Sequence, residues 1–201
     1  MPKKINKKII LLFGPTASGK SKIAEDIAKI YNAEIINADS MQIYKEVKIL
    51  SARPKKKNIK HHLYGFVSIK KTFSTGFWYK LATKKIKQIN KKGKVAIVVG
   101  GTGLYFKALT DGFTQIPDIP ERYKKLKIEK KFVLKNPDIF KGISLNDTQR
   151  VQRAFSVYKF TKKPLWSWQK ENKKEFKKSQ FTKIFLCPSK IEIEKRIRKR
   201  F

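Results

Sequence analysis

A chain of 201 residues with 40% hydrophobic side chains, fourteen Phe among them, is long enough to bury a real core, which excludes wholesale disorder. Its 49 Lys and Arg against 15 Asp and Glu leave a formal charge of +34. A polyanionic partner such as RNA is one reading of that excess. Compositional bias is the other, because only seven of the basic residues are Arg, at positions 53, 122, 150, 153, 196, 198 and 200. The single cysteine, Cys187, excludes an internal disulfide and fits a reducing compartment. No stretch approaches a membrane span, and the apolar run after the basic first eight residues is too short for a signal peptide. A cytoplasmic protein is expected.

The first element is an apolar strand, Ile9 to Phe13, and it runs directly into Gly14-Pro15-Thr16-Ala17-Ser18-Gly19-Lys20-Ser21. A segment with apolar residues at helical spacing follows, Ile23, Ala24, Ile27, Ala28 and Ile30. Strand, glycine-rich loop and helix in this order are the context of a P-loop, with the spacing G-x-x-x-x-G-K-[ST]. The glycines let the backbone curl so that its N–H groups face a diphosphate, and the helix N-terminus adds its positive end. Lys20 is placed to reach outer phosphate oxygens and Ser21 to ligate Mg²⁺.

A second short strand stops at Asp39, within the run Asn37-Ala38-Asp39-Ser40-Met41-Gln42-Ile43-Tyr44. In a parallel sheet the C-terminal strand ends face the ligand crevice, which points Asp39 at the mouth of the P-loop as a base or Mg²⁺ partner. Capping the short turn after it is the competing role. His61-His62 tempts a metal reading, but neighbours in an extended strand point to opposite faces and no Cys or third His completes a site. Surface or packing histidines are expected instead.

Ser74 caps a helix carrying Trp78, Leu81, Ala82, Ile86 and Ile89 on one face and ending near Lys92-Gly93. The β-branched run from Val95 to Val99 reads as a strand buried on both faces. It ends in Gly100-Gly101-Thr102, where many P-loop enzymes carry an Asp for Mg²⁺.

From Ile116-Pro117-Asp118-Ile119-Pro120 the composition changes. Residues 121–136 are charged and helix-prone. A clearer helix follows Asn146-Asp147, with Val151, Ala154, Phe155 and Tyr158 as its buried stripe and Gln149, Arg150 and Arg153 on or beside one polar face. That face suits RNA contacts, or is simply solvated. Lys162-Lys163-Pro164 is a turn, and Trp166 and Trp168 are expected in a small core rather than as stacking platforms. Residues 181–187 return as a strand, and Pro188-Ser189 caps a last helix holding Arg196, Arg198 and Arg200.

Taken in order, residues 14–21 (GPTASGKS), 38–44 (ADSMQIY), 61–63 (HHL), 99–109 (VGGTGLYFKAL), 146–154 (NDTQRVQRA), and Arg196-Ile197 with Arg200 resemble the tRNA dimethylallyltransferases, also called tRNA isopentenyltransferases. The P-loop alone is weak support for that family; the set together is highly specific. The resemblance implies an α/β fold with a P-loop NTPase-like parallel sheet flanked by helices and a small inserted helical domain. The expected division is a core over residues 1–115, a helical tRNA-binding insert over 116–179, and a return to the core over 180–201. Family members continue well beyond Phe201, so a fragment, a truncated product or a minimal variant is expected, with the C-terminal part of the core missing.

The resemblance also implies a reaction: transfer of a dimethylallyl group from dimethylallyl diphosphate to the exocyclic amine of the adenine 3′ of the anticodon, in tRNAs reading codons that begin with U. By resemblance Asp39 is the general base and Thr102 holds the amine or the base. Gly14, Pro15, Thr16, Ala17, Ser18, Gly19, Lys20 and Ser21 bind the diphosphate, with Mg²⁺ on Ser21, and Arg200 steadies it. Asp39, Ser40, Met41, Gln42 and Thr102, Lys124 in the insert, and Gln149, Arg150, Val151, Gln152 and Arg153 match positions that touch the tRNA anticodon arm. A monomer is expected. Two alternatives stand beside this reading: a P-loop kinase or prenyltransferase acting on a small molecule such as free adenine nucleotide, and a non-catalytic tRNA-binding remnant.

Overall fold

The structure, a computed structural model, describes residues 8–54, 59–114, 116–170 and 172–199. Two compact units form, one from Met1–Thr110 with Glu175–Phe201 and the other from Asp111–Lys174.

The first unit is built on five parallel strands, β1 (Ile9–Phe13), β2 (Ala33–Asn37), β3 (His61–His62), β4 (Val95–Gly100) and β5 (Phe181–Phe185), in the order β3-β2-β4-β1-β5. A parallel sheet needs crossovers, and helices α1 (Lys20–Ile30) and α2 (Thr75–Lys91) supply two of them. The three inner strands are the apolar runs, and Ile9, Ile10, Leu11, Leu12, Ile97 and Val98 are at most 1% exposed. Truncating one such Leu or Ile to Ala costs about 2–5 kcal/mol. At the edge, β5 buries only Phe181, with Thr182 and Ile184 half-buried and Lys183 and Phe185 exposed, and it ends at Phe185, two residues short of the expected strand. Beyond β5, Ser189 caps the last helix (Lys190–Arg198) through a capping box with Glu192.

Register brings the strand ends to one level. Phe13 lies opposite Gly100, and Asn37 opposite Val99, so the loops after β1, β2 and β4 open on the same edge. Gly100 is required there: a Cβ would sit 2.1 Å from the Ala38 carbonyl oxygen and 2.7 Å from the Asp39 nitrogen. Helix α3 (Gly103–Asp111), not foreseen from periodicity, starts directly after that crossing. Together these elements are the P-loop NTPase-like α/β fold.

The second unit is helical. Short helices α4 (Glu121–Lys124) and α5 (Lys130–Lys135) and a 3₁₀ turn (Pro137–Phe140) precede α6 (Thr148–Thr161) and α7 (Leu165–Lys170). The expected helical stretch over 121–136 is therefore broken, since few apolar residues anchor it. Asp147 caps α6 by accepting the Arg150 N–H, and Lys162 ends it in the left-handed conformation at φ 58°. Val151, Ala154 and Phe155 bury against Ile139 and Phe140, while Tyr158 is half-buried at the rim. Trp166 and Trp168 are also half-buried, their indole N–H groups donating to the Asp138 carbonyl at 2.8 Å and to Thr161 Oγ1 at 3.4 Å. Their rings carry lysine ammonium groups, Lys141 and Lys170 on Trp166 and Lys163 on Trp168. Among the described residues no helix is long and apolar enough to cross a membrane.

Candidate active site

Residues 14–19 turn the chain from β1 into α1. Gly14 is pressed against the backbone after β5, where a Cβ would lie 2.5 Å from the Leu186 carbonyl oxygen. Ala17 at φ 62° and Gly19 at φ 88° bend the loop through the left-handed region, and α1 starts without a side-chain cap. Its first N–H groups thus remain available to an anion. The Lys20 ammonium lies within the loop, donating to the Gly14 carbonyl at 2.9 Å, to the Pro15 carbonyl and to Ser18 Oγ at 3.3 Å. Partial burial pulls its pKa below the usual lysine range, and the negative charge of Asp39 opposes that fall. A second cation comes from the last helix: Arg196 Nη1 donates to the Ala17 carbonyl at 3.4 Å.

Across the cleft, Asp39 follows β2. Its Oδ1 accepts the Met41 N–H at 2.9 Å, so the turn-capping role is real and orients the carboxylate. The neighbouring Ser40 N–H donates to Thr102 Oγ1 at 2.9 Å, and Thr102 Oγ1 donates to Ser40 Oγ at 3.3 Å. Thr102 is fixed in turn by its own N–H, which donates to the Ala38 carbonyl at 3.1 Å. The Asp39 charge is felt beyond Lys20. Burial first, then Tyr44 and Asp39, push the Tyr105 phenol up to about 12, and burial with Asp39 and Glu25 raises Tyr64 as well.

These groups line one cleft of about 870 Å³, formed by residues 14–22, Asp39, Met41, Gln42, residues 50–52, Gly101, Thr102, Arg196 and Ile197. Cations and N–H groups stand on one side, a carboxylate and a hydroxyl on the other, and the exposed apolar side chains of Met41 and Leu50 lie at the rim. Ser21, half-buried at the start of α1, offers the hard oxygen that Mg²⁺ prefers. Arg200 lies outside the described residues.

In the helical unit, Gln149, Arg150 and Arg153 are exposed on α6, and the Arg150 Nε pairs with Asp147 at 3.1 Å. Partial burial pulls the Arg153 guanidinium below the usual arginine range, and the negative charge of Asp118 opposes that fall. Lys124 pairs with Glu121 at 2.7 Å. Two neighbours on α6 face elsewhere: Val151 is in the core, and the Gln152 amide donates to the Lys124 and Leu126 carbonyls, each at 2.9 Å.

The histidine pair is structural. His61 shares a hydrogen bond of 2.9 Å with the Ile59 carbonyl and stands 3.9 Å from Glu25, whereas His62 lies 2.7 Å from Glu34. Burial holds the His62 imidazole below its usual range despite Glu34, so a neutral ring donates its N–H to the carboxylate. Burial also works against Glu34 ionisation, but hydrogen bonds from His62 and Lys94 outweigh it and keep the carboxyl below the usual carboxylate range. Among the described residues no group of three His, Cys, Asp or Glu is arranged to hold a metal.

Two residues of this region are not marked by motif spacing: Asn37 and Trp78 support the Asp39 turn from within. Arg196, quoted with the family resemblance, joins the P-loop. Asn37 carried a faint signal, a polar residue directly after the apolar pair Ile35-Ile36; Trp78 carried none beyond its helical face.

The fold defines an α/β protein of the P-loop NTPase-like class. The model of the IPP transferase family matches residues 42–201, and the chain belongs to that family. A tRNA dimethylallyltransferase of Pelagibacter ubique (strain HTCC1062) is 47% identical over 204 residues, covering 94% of this chain and 65% of that protein. A eukaryotic dimethylallyltransferase acting on tRNA, of solved structure, superposes with a TM-score of 0.77 at 27% identity, over 96% of this chain and 52% of the other. The tRNA delta(2)-isopentenylpyrophosphate transferase of Staphylococcus epidermidis matches with a TM-score of 0.59 at 32% identity, over 96% and 67%. The chain therefore spans about half to two-thirds of the length of these relatives.

Proposed function

We propose that this chain transfers a dimethylallyl group from dimethylallyl diphosphate to the exocyclic N6 amine of an adenine in tRNA, the one 3′-adjacent to the anticodon, releasing diphosphate. The tRNAs are those reading codons that begin with U. The observation that carries the reading is the single cleft in which the P-loop cations face Asp39 and Thr102. The strand beside the P-loop ends there in Gly-Gly-Thr, which supplies a hydroxyl where ATP-hydrolysing relatives of the fold place a metal-binding carboxylate.

In this reading the allylic carbon–oxygen bond breaks as the carbon–nitrogen bond to the adenine amine forms. The negative charge that grows on the departing diphosphate is met by Lys20, the N–H groups at the start of α1 and Arg196, with Arg200 as a further cation. Mg²⁺, held by the Ser21 hydroxyl, supplies additional charge neutralisation when bound. An adenine amine is a weak nucleophile, so its proton passes to the Asp39 carboxylate as the bond forms, and Thr102 positions the amine or that base. The adenine must leave its stack to enter the cleft, which requires a firm hold on the anticodon arm. Gln149, Arg150 and Arg153 give α6 the exposed polar face for that hold, with Lys124 beside it; Ser40, Met41 and Gln42 meet the RNA at the cleft. The enzyme works as a monomer in the cytoplasm, where a reducing milieu keeps the exposed Cys187 free.

Incubation with labelled dimethylallyl diphosphate and undermodified tRNA tests the proposal. Label entering the RNA at the adenine beside the anticodon supports it. Label or phosphate passing only to free nucleotide supports a small-molecule transferase or kinase, and tRNA binding without transfer supports a non-catalytic remnant.

A further inference from the structure

The Asp39 turn rests on one buried amide. Asn37, the last residue of β2, is 0% exposed and sits among apolar neighbours, where a polar side chain is costly unless every hydrogen-bonding group is answered. All of them are. Its Oδ1 accepts the Asp39 N–H at 2.9 Å, and its Nδ2 donates to the Asp39 carbonyl at 3.0 Å and to the Leu63 carbonyl at 3.0 Å. Its own main-chain carbonyl accepts the indole N–H of the fully buried Trp78 at 2.8 Å. Leu63 has φ 61°, a left-handed conformation unfavourable for a branched residue, so the Asn37 amide also holds a strained turn in place. From Asp39 the connection continues through the Ser40 N–H to Thr102.

We infer that Asn37 is a positioning residue for the transfer reaction: by gripping both backbone groups of Asp39, it sets the direction of the carboxylate and, through Ser40, the seat of Thr102. This inference rests on the function proposed above. Asparagine suits the task because it combines one acceptor with two donors in a plane. An aspartate of the same shape presents only acceptors when ionised and sets a carboxylate oxygen against two carbonyls.

The test uses the whole chain with Asn37→Ala and, as a same-shape variant should that one fail to fold, Asn37→Asp. Two readouts are taken, hydrogen exchange of individual amides and the kinetics of label transfer to tRNA. The expected result is exchange of the Asp39, Ser40 and Met41 amides at least about tenfold faster, with Ile35, Ile97 and Val98 still protected. Alongside it kcat falls about 10- to 100-fold while KM for donor and tRNA stays within about twofold, as misplacement of a reacting group predicts. Unchanged exchange at Ser40 and Met41, or loss of protection throughout the sheet with KM rising in step, overturns the inference. If the unsubstituted chain transfers no label, the function reading fails while the exchange readout still decides whether Asn37 holds the Asp39 turn.

Discussion

The Ser40 N–H donates to Thr102 Oγ1 at 2.9 Å, and that bond fastens the turn after β2 to the loop after β4. Residues 62 apart in sequence thereby move as one support for the cleft. Replacing Thr102 with Ala leaves the Ser40 N–H without this acceptor, at a cost of about 1–3 kcal/mol in stability. Transfer should fall about 10- to 100-fold. Thr102→Ser keeps the oxygen and should retain most of both. Denaturant unfolding and single-turnover transfer check the pair; equal behaviour of the two variants would remove Thr102 from the site.

Gly100 is where β4 passes beneath the Ala38 carbonyl. Gly100→Ala places a methyl 2.1 Å from that oxygen, which no side-chain rotation relieves because the obstacle is backbone. Destabilisation of about 1–3 kcal/mol or more is expected from overpacking, together with displacement of Asp39. Gly103→Ala, with open space at the same atom, serves as the control in chemical denaturation. A Gly100→Ala chain as stable as the control would contradict the tight crossing.

Lys20 gives the cleft an alkaline limit. Burial lowers its pKa in the folded chain below the ordinary value of about 10.4. The sign has two consequences. Between the folded and unfolded pKa values the unfolded chain holds the extra proton, so this residue's contribution to stability rises with pH through that window. Diphosphate affinity moves the other way, because the cation is lost as pH climbs through the depressed folded pKa. Titrating diphosphate binding against pH, with each protein normalised to its own value at neutral pH, should show the loss beginning below the ordinary lysine pKa. Lys20→Arg should stay flat over the same range, and parallel profiles would count against a buried ammonium as the main clamp.

On the helical unit, Arg150→Ala with Arg153→Ala removes two exposed cations from α6. If these contact RNA phosphates, tRNA affinity falls and the slope of log K against log salt becomes shallower by about two. Val151 is a useful contrast, since its side chain belongs to the core: Val151→Ala should lower stability while the salt slope holds. An unchanged slope in the arginine double variant would exclude this face from the RNA contact.

The P-loop was legible in sequence because its strand, loop and helix are contiguous, so that local backbone rules alone define the element. The same holds for the Asp147 cap of α6 and for the Ser74 cap of α2, whose side chain accepts the Phe77 N–H at 3.1 Å. Asp39 was legible as a residue facing the crevice, with capping of its own turn as the competing role; the strand expected to stop at Asp39 ends two residues earlier, at Asn37, and the carboxylate does cap its turn. What escaped were supports assembled across long separations. Trp78 reaches the Asn37 carbonyl across 41 residues, and Arg196 reaches Ala17 across 179. Periodicity says that Trp78 faces a core; it does not say which carbonyl its indole meets there. Residues 121–136 misled in the opposite sense, because helix propensity without apolar anchors produced two short helices with a break where the Gln152 amide takes the free carbonyls.

The central claim is that one cleft joins a diphosphate clamp to a carboxylate that takes the proton of the adenine amine. Asp39→Asn tests it most directly, because the amide keeps the shape and an acceptor for the Met41 N–H while losing the base. In single turnover with saturating dimethylallyl diphosphate and tRNA, the variant should bind both substrates as the unsubstituted chain does and transfer at least about 100-fold more slowly. Transfer at an undiminished rate, or a loss of binding as large as the loss of rate, would contradict the account.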